Sequence, residues 1–94
     1  MTLNETGLAE IKDYCGVTDT DSDNILIGLR SAAVSFILNQ TGLSEEETEK
    51  YDDLSVALLV LVYDMYLNRA YTVDKSTVNP ILQSILSEHA RNLL

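Results

Sequence analysis

The chain has 94 residues, fifteen Asp and Glu against six Lys and Arg, a formal net charge of −9, one His, one Cys and no Trp. Room for one domain over residues 1–94 is all that this length offers, and the acidic balance excludes a nucleic-acid-binding surface built on Lys and Arg. A lone cysteine excludes an internal disulfide, while 46% hydrophobic residues are too many for a disordered acidic chain.

The N-terminal Met1-Thr2-Leu3-Asn4-Glu5 has neither the basic nor the apolar stretch of a signal peptide. Thr2 and Glu5 have capping-box spacing, which predicts that a first helix begins there. Leu8, Ile11 and Cys15 then share one face, with Tyr14 beside them, and Gly16 stands where a helix stops. Cys15 reads as a small core residue, since only Lys12 among nearby residues is basic.

Val17 to Asn24 is a polar joint, and acids near Asp21 favour the start of a second helix there. Its main stripe is Ile25, Leu26, Leu29, Ala32, Ala33, Phe36 and Ile37, and Gly42 ends it. Ile27, Val34 and Leu38 form a second apolar line on another side, a candidate contact with other subunits. Asp19 to Asp23 looks like the opening of a calcium loop. The sixth and twelfth positions, however, hold Asn24 and Arg30 in place of Gly and Glu, so an acidic helix start is the reading kept.

Leu43 to Lys50 is a solvated acidic turn, with room for one short helical turn capped by Ser44. Glu45, Glu46, Glu47 and Glu49 are its acids, and nothing apolar lies among them to shift their pKa values as catalysis would need. The third helix is predicted from Asp52 to Ala70, a rod of about 28 Å at roughly 1.5 Å per residue. It is apolar nearly all round from Leu54 to Leu67, yet short of the roughly 20 apolar residues that span a bilayer. A single small subunit has difficulty wrapping such a rod. Tyr63, Tyr66 and Tyr71 on its flanks read either as core packing or as interface anchors, since Tyr brings large area and a polar tip.

Tyr71 to Val78 is a polar connection, and Asn79-Pro80 is a strong start signal for a fourth helix carrying Ile81, Leu82, Ile85, Leu86, His89 and Leu93 on one face. His89 has no second His or Cys near it in sequence, so zinc or nucleophilic chemistry is not expected. The expected fold is all-α, a small bundle of about four helices with the apolar third helix at its centre. No catalytic residue, metal or cofactor is expected. An acyl carrier protein is disfavoured, because Asp21-Ser22-Asp23 lacks the leucine that follows a carrier serine.

The order of pieces carries a likeness: Leu8, Ile11-Lys12-Asp13-Tyr14; the acidic joint; Ser31-Ala32-Ala33, Phe36-Ile37, Thr41-Gly42; Ala57-Leu58-Leu59-Val60, Tyr63, Met65-Tyr66, Asn68-Arg69; and a helix after Asn79-Pro80. It resembles the small helical head–tail connector, or adaptor, proteins of tailed phages. The resemblance implies a non-enzymatic homo-oligomeric ring, twelvefold, on the portal protein of the virion, assembled in the host cytoplasm. The ring would extend the DNA channel and carry the next tail-joining or head-completion protein. DNA would pass without specific binding, past acids such as Glu45, Glu46, Glu47 and Glu49, and no membrane is involved. The alternative is a small acidic helical adaptor or regulatory module that dimerises and binds a basic protein partner.

Overall fold

The computed structural model describes residues 1–68 and 80–89, with side chains of the last helix from residue 83 onward. The described residues are all-α: α1 (Leu8–Cys15), α2 (Asp23–Thr41), a 3-10 turn (Glu47–Lys50), α3 (Asp53–Asn68) and α4 (Pro80–His89). The predicted connection at Tyr71 to Val78, and the third helix beyond Asn68, lie outside them.

Local chemistry sets the boundaries. Thr2 and Glu5 do pair, with the Thr2 amide donating to Glu5 Oε1 at 2.9 Å. They close a separate turn, however, in which the Thr6 hydroxyl donates to the Thr2 carbonyl at 2.8 Å. The first helix starts later than predicted, at Leu8, because Glu10 reaches back to the Gly7 amide at 2.8 Å and satisfies an orphan donor of the first turn. At its other end Gly16 takes the left-handed conformation (φ 73°). Val17 N–H donates to the Lys12 carbonyl and Gly16 N–H to the Asp13 carbonyl, the paired bonds of a Schellman stop. The second helix starts at Asp23, two residues past Asp21, since the Asp21 amide is taken by Asp19 Oδ1 at 2.9 Å in a side-chain turn. Gly42 (φ 73°) ends it, donating to the Leu38 carbonyl at 2.9 Å. Ser44 and Glu47 cap the 3-10 turn reciprocally, at 2.9 and 3.2 Å.

The core lies between α2 and α3. Leu26, Leu29, Ala33 and Ile37 of α2 are buried at helical spacing, as are Leu54, Leu58, Leu61 and Met65 of α3. Helices α1 and α4 each pack against both of these, contributing Ile11 and Leu86. Leu3 and Leu43 seal the same core from the N-terminal turn and from the loop after α2. Each central helix therefore turns one stripe inward toward the other.

Candidate assembly surfaces

On α3 the outward stripe is Val56, Val60, Tyr63 and Leu67, spaced i, i+4, i+7, i+11, with Leu59 alongside. Val56 is 46% and Leu67 58% exposed, and the residues between them are half-buried. Tyr14 of α1, itself 48% exposed, meets Tyr63 edge-on at 5.6 Å and extends the patch sideways. From Leu54 to Asn68 the only charged residue is Asp64, at the edge of this ridge. Partial burial there pushes its carboxyl above the usual value. The same cause raises the thiol of half-buried Cys15.

On α2 the second apolar line lies on a flank beside the core stripe. Ile27 is 52% exposed, while Val34 and Leu38 are half-buried against the subunit's own core. Gly28, Ser31 and Ser35 continue outward from that flank, all exposed and uncharged. The only charged residue from Asn24 to Thr41 is Arg30, whose Nε donates to the Thr6 carbonyl at 2.6 Å. Ile25, read from the sequence as part of the core stripe, is instead exposed on the other flank, with Ala32 and Phe36 half-buried beside it, because only the narrower line Leu26, Leu29, Ala33 and Ile37 faces the core.

The six candidate contact residues are thus not one patch. Ile27, Val34 and Leu38 belong to the α2 flank and Tyr63 to the α3 ridge. Tyr66 turns toward the N-terminus of α2, with its hydroxyl 3.4 Å from Ser22 Oγ. Tyr71 lies outside the described residues. Sequence reasoning passed over Val56, Leu67 and Tyr14. The available signal was the i, i+4, i+7, i+11 spacing along α3, hidden because every other face of that helix is apolar too.

The acidic loop divides as well. Glu45 and Glu46 are exposed, whereas Glu47 caps Ser44. Glu49 receives hydrogen bonds from the Thr2 hydroxyl at 3.2 Å and from the Asn4 amide, which also donates to the Glu45 carbonyl at 2.9 Å. The loop is in this way stapled to the N-terminal turn.

Among the described residues, two polar side-chain contacts tie helices together. Lys12 Nζ lies 2.8 Å from Asp23 Oδ1, tying the last turn of α1 to the first residue of α2. His89 Nε2 lies 2.9 and 2.8 Å from the two oxygens of Asp53, with the Tyr51 ring 4.5 Å from the imidazole. Glu88 brings a further carboxylate oxygen into this group, within 4.8 Å. Glu88 is exposed, and the imidazole nitrogen is already engaged by Asp53. The arrangement serves to fasten α4 to the start of α3.

Exposed apolar residues on α2 and α3 stand out on an acidic, all-helical chain. The profile of the phage gp6-like head-tail connector protein family matches residues 5–90, and the chain belongs to that family. It is a structural, non-enzymatic phage protein of the head–tail junction, where it interacts with other head and tail proteins. No curated protein and no solved structure matches it. No helix among the described residues is long and apolar enough to cross a membrane.

Proposed function

We propose that this connector assembles as a closed homo-oligomeric ring of twelve subunits on the portal protein. The ring extends the DNA channel and offers its far side to the next tail-joining or head-completion protein. The observation that carries this reading is that apolar residues stand exposed on two different helices, Val56 and Leu67 on α3 and Ile27 on α2. Closed rings use heterologous contacts, in which one patch on each subunit meets a different patch on the next. A subunit with two separate apolar surfaces meets that requirement.

The same reading places Glu45 and Glu46 toward the lumen. Carboxylates there repel the phosphate backbone and let DNA slide without adhering. Before assembly the protein resides in the host cytoplasm.

The test is co-expression with the portal protein of the same phage, followed by electron microscopy of the purified complex. The expected image is a twelvefold ring, coaxial with the portal, with the loop at residues 44–50 lining the opening. A connector bound as isolated monomers or dimers would overturn the ring. A ring with that loop on its outer rim would overturn only the lumen assignment.

A further inference from the structure

We propose that Asp53, Glu88 and His89 form a binding site for a borderline divalent metal ion of the Zn2+ type, which ties the last turn of α4 to the first residue of α3. Three observations lead to it.

The first is convergence from two helices. In sequence, His89 has no other His and no Cys beside it. The fold brings Asp53 to it across 36 residues. Leu86 anchors α4 in the core, and His89, three residues on, falls on the same face, against the start of α3. The Tyr51 ring packs on the imidazole and sets its plane. The side chain of His89 is only 12% exposed, so its donor atom is held in place by its surroundings.

The second is spacing. His89 Nε2 stands 2.9 and 2.8 Å from the two Asp53 oxygens, and one donor atom from each of the three side chains lies within 4.8 Å of the others. A tetrahedral Zn2+ with bonds of about 2.0–2.1 Å holds its ligand atoms about 3.3 Å apart. That separation falls inside the observed range, so small side-chain adjustments at half-buried Asp53 and exposed Glu88 complete the coordination. The exposed side, at Glu88, leaves a fourth position for water.

The third is charge. The two carboxylates share one imidazole, and among the described residues no Lys or Arg pairs with either of them. Two anions beside at most one cation leave negative charge that a divalent ion balances. A nitrogen donor next to two carboxylates suits Zn2+ better than Mg2+ or Ca2+, which take six or more oxygen ligands.

Binding exchanges a hydrogen bond for coordination. The Nε2 lone pair must face the ion, so an imidazolium gives its Nε2 proton to water, and a neutral ring carries its proton at Nδ1. The ion then holds α4 on α3 through metal–ligand bonds. The site lies within one subunit and is independent of the ring.

The experiment is calorimetric titration of Zn2+ into the full chain, stripped of metal, at about pH 7.5, where protons compete little with a metal for imidazole. About 5 mM Mg2+ is present throughout to occupy the remaining carboxylates. One Zn2+ should bind per chain, and the thermal midpoint should rise with Zn2+ concentration. His89 is the only histidine, so a nitrogen NMR spectrum of its ring reads coordination directly. The Nε2 resonance should move on adding Zn2+ while Nδ1 stays protonated. His89→Gln and Glu88→Gln should each weaken binding about tenfold or more. Glu88 is exposed and outside the core, so its variant keeps the fold even where His89→Gln loosens α4. Three results overturn the proposal: no Zn2+ uptake in the presence of Mg2+, an Nε2 resonance indifferent to Zn2+, or a Glu88→Gln variant that binds Zn2+ like the wild type.

Discussion

Asp64 shows at the scale of one residue how this surface is held short of full burial. Its carboxyl is raised above the ordinary 3.8 by desolvation, so the native state binds that proton more tightly than the unfolded chain does. In the window from 3.8 up to the raised value the native state therefore carries the extra proton, and stability falls as pH rises through it. Above the window the ionised carboxylate weighs against folding in full. Asp64→Asn should thus stabilise the fold at pH 7, by less than about 0.5 kcal/mol because water screens a half-exposed group. The gain should vanish at about pH 3, where both forms of the side chain are neutral. Urea titrations of both proteins at the two pH values decide it, and a variant less stable than the wild type at pH 7 would contradict the desolvation argument. The position of Asp64 on the helix could be read from sequence. Its half-burial could not, because that depends on where the chain outside α3 lies.

Between elements, the Lys12–Asp23 pair carries more than a surface ion pair would. Both side chains are mostly buried, and Asp23 Oδ1 has no hydrogen-bond donor other than this ammonium. Lys12→Ala leaves that oxygen with only the N-terminus of α2 for compensation. The expected loss is about 1–3 kcal/mol in chemical denaturation. A double-mutant cycle with Asp23→Ala should return a coupling near the upper end of, or above, the 0.2–1 kcal/mol usual for exposed pairs. Additive single effects would show that the pair contributes nothing specific.

The elements themselves were legible wherever their cause was local. Gly16, Gly42 and Pro80 mark boundaries that depend on the backbone freedom of one residue, and they fall where the sequence put them. Leu26, Leu29, Ala33 and Ile37 follow from helical period alone. The start of α1 was misplaced because the Thr2–Glu5 spacing fits a single turn as well as a helix, and the true cap, Gly7, has no side chain to announce it. The Glu49 contacts with Thr2 and Asn4 span more than forty residues and leave no local trace. The exposed side of α3 was hidden for a related reason. On a helix apolar nearly all round, only the placement of α1, α2 and α4 determines which apolar residues remain uncovered.

For the whole molecule, charge sets the conditions of assembly. Copies carrying −9 each repel over a Debye length, roughly 30 Å at 0.01 M salt and 10 Å at 0.1 M. If the subunits join through their uncharged faces, added salt removes repulsion and leaves the apolar contact in place. Self-association should therefore strengthen between about 0.02 and 0.5 M NaCl. A dimeric adaptor holding a basic partner would behave in the opposite way toward that partner, since salt weakens attraction between unlike charges. Glu45→Gln with Glu46→Gln should flatten the salt response if these exposed carboxylates crowd together around a channel. The folded state should be unaffected, because their side chains make no described intrachain contact. Sedimentation across the salt series reads both effects. Assembly that weakens with salt would mean that ion pairs hold the copies together, and the uncharged faces of α2 and α3 would lose their assigned role.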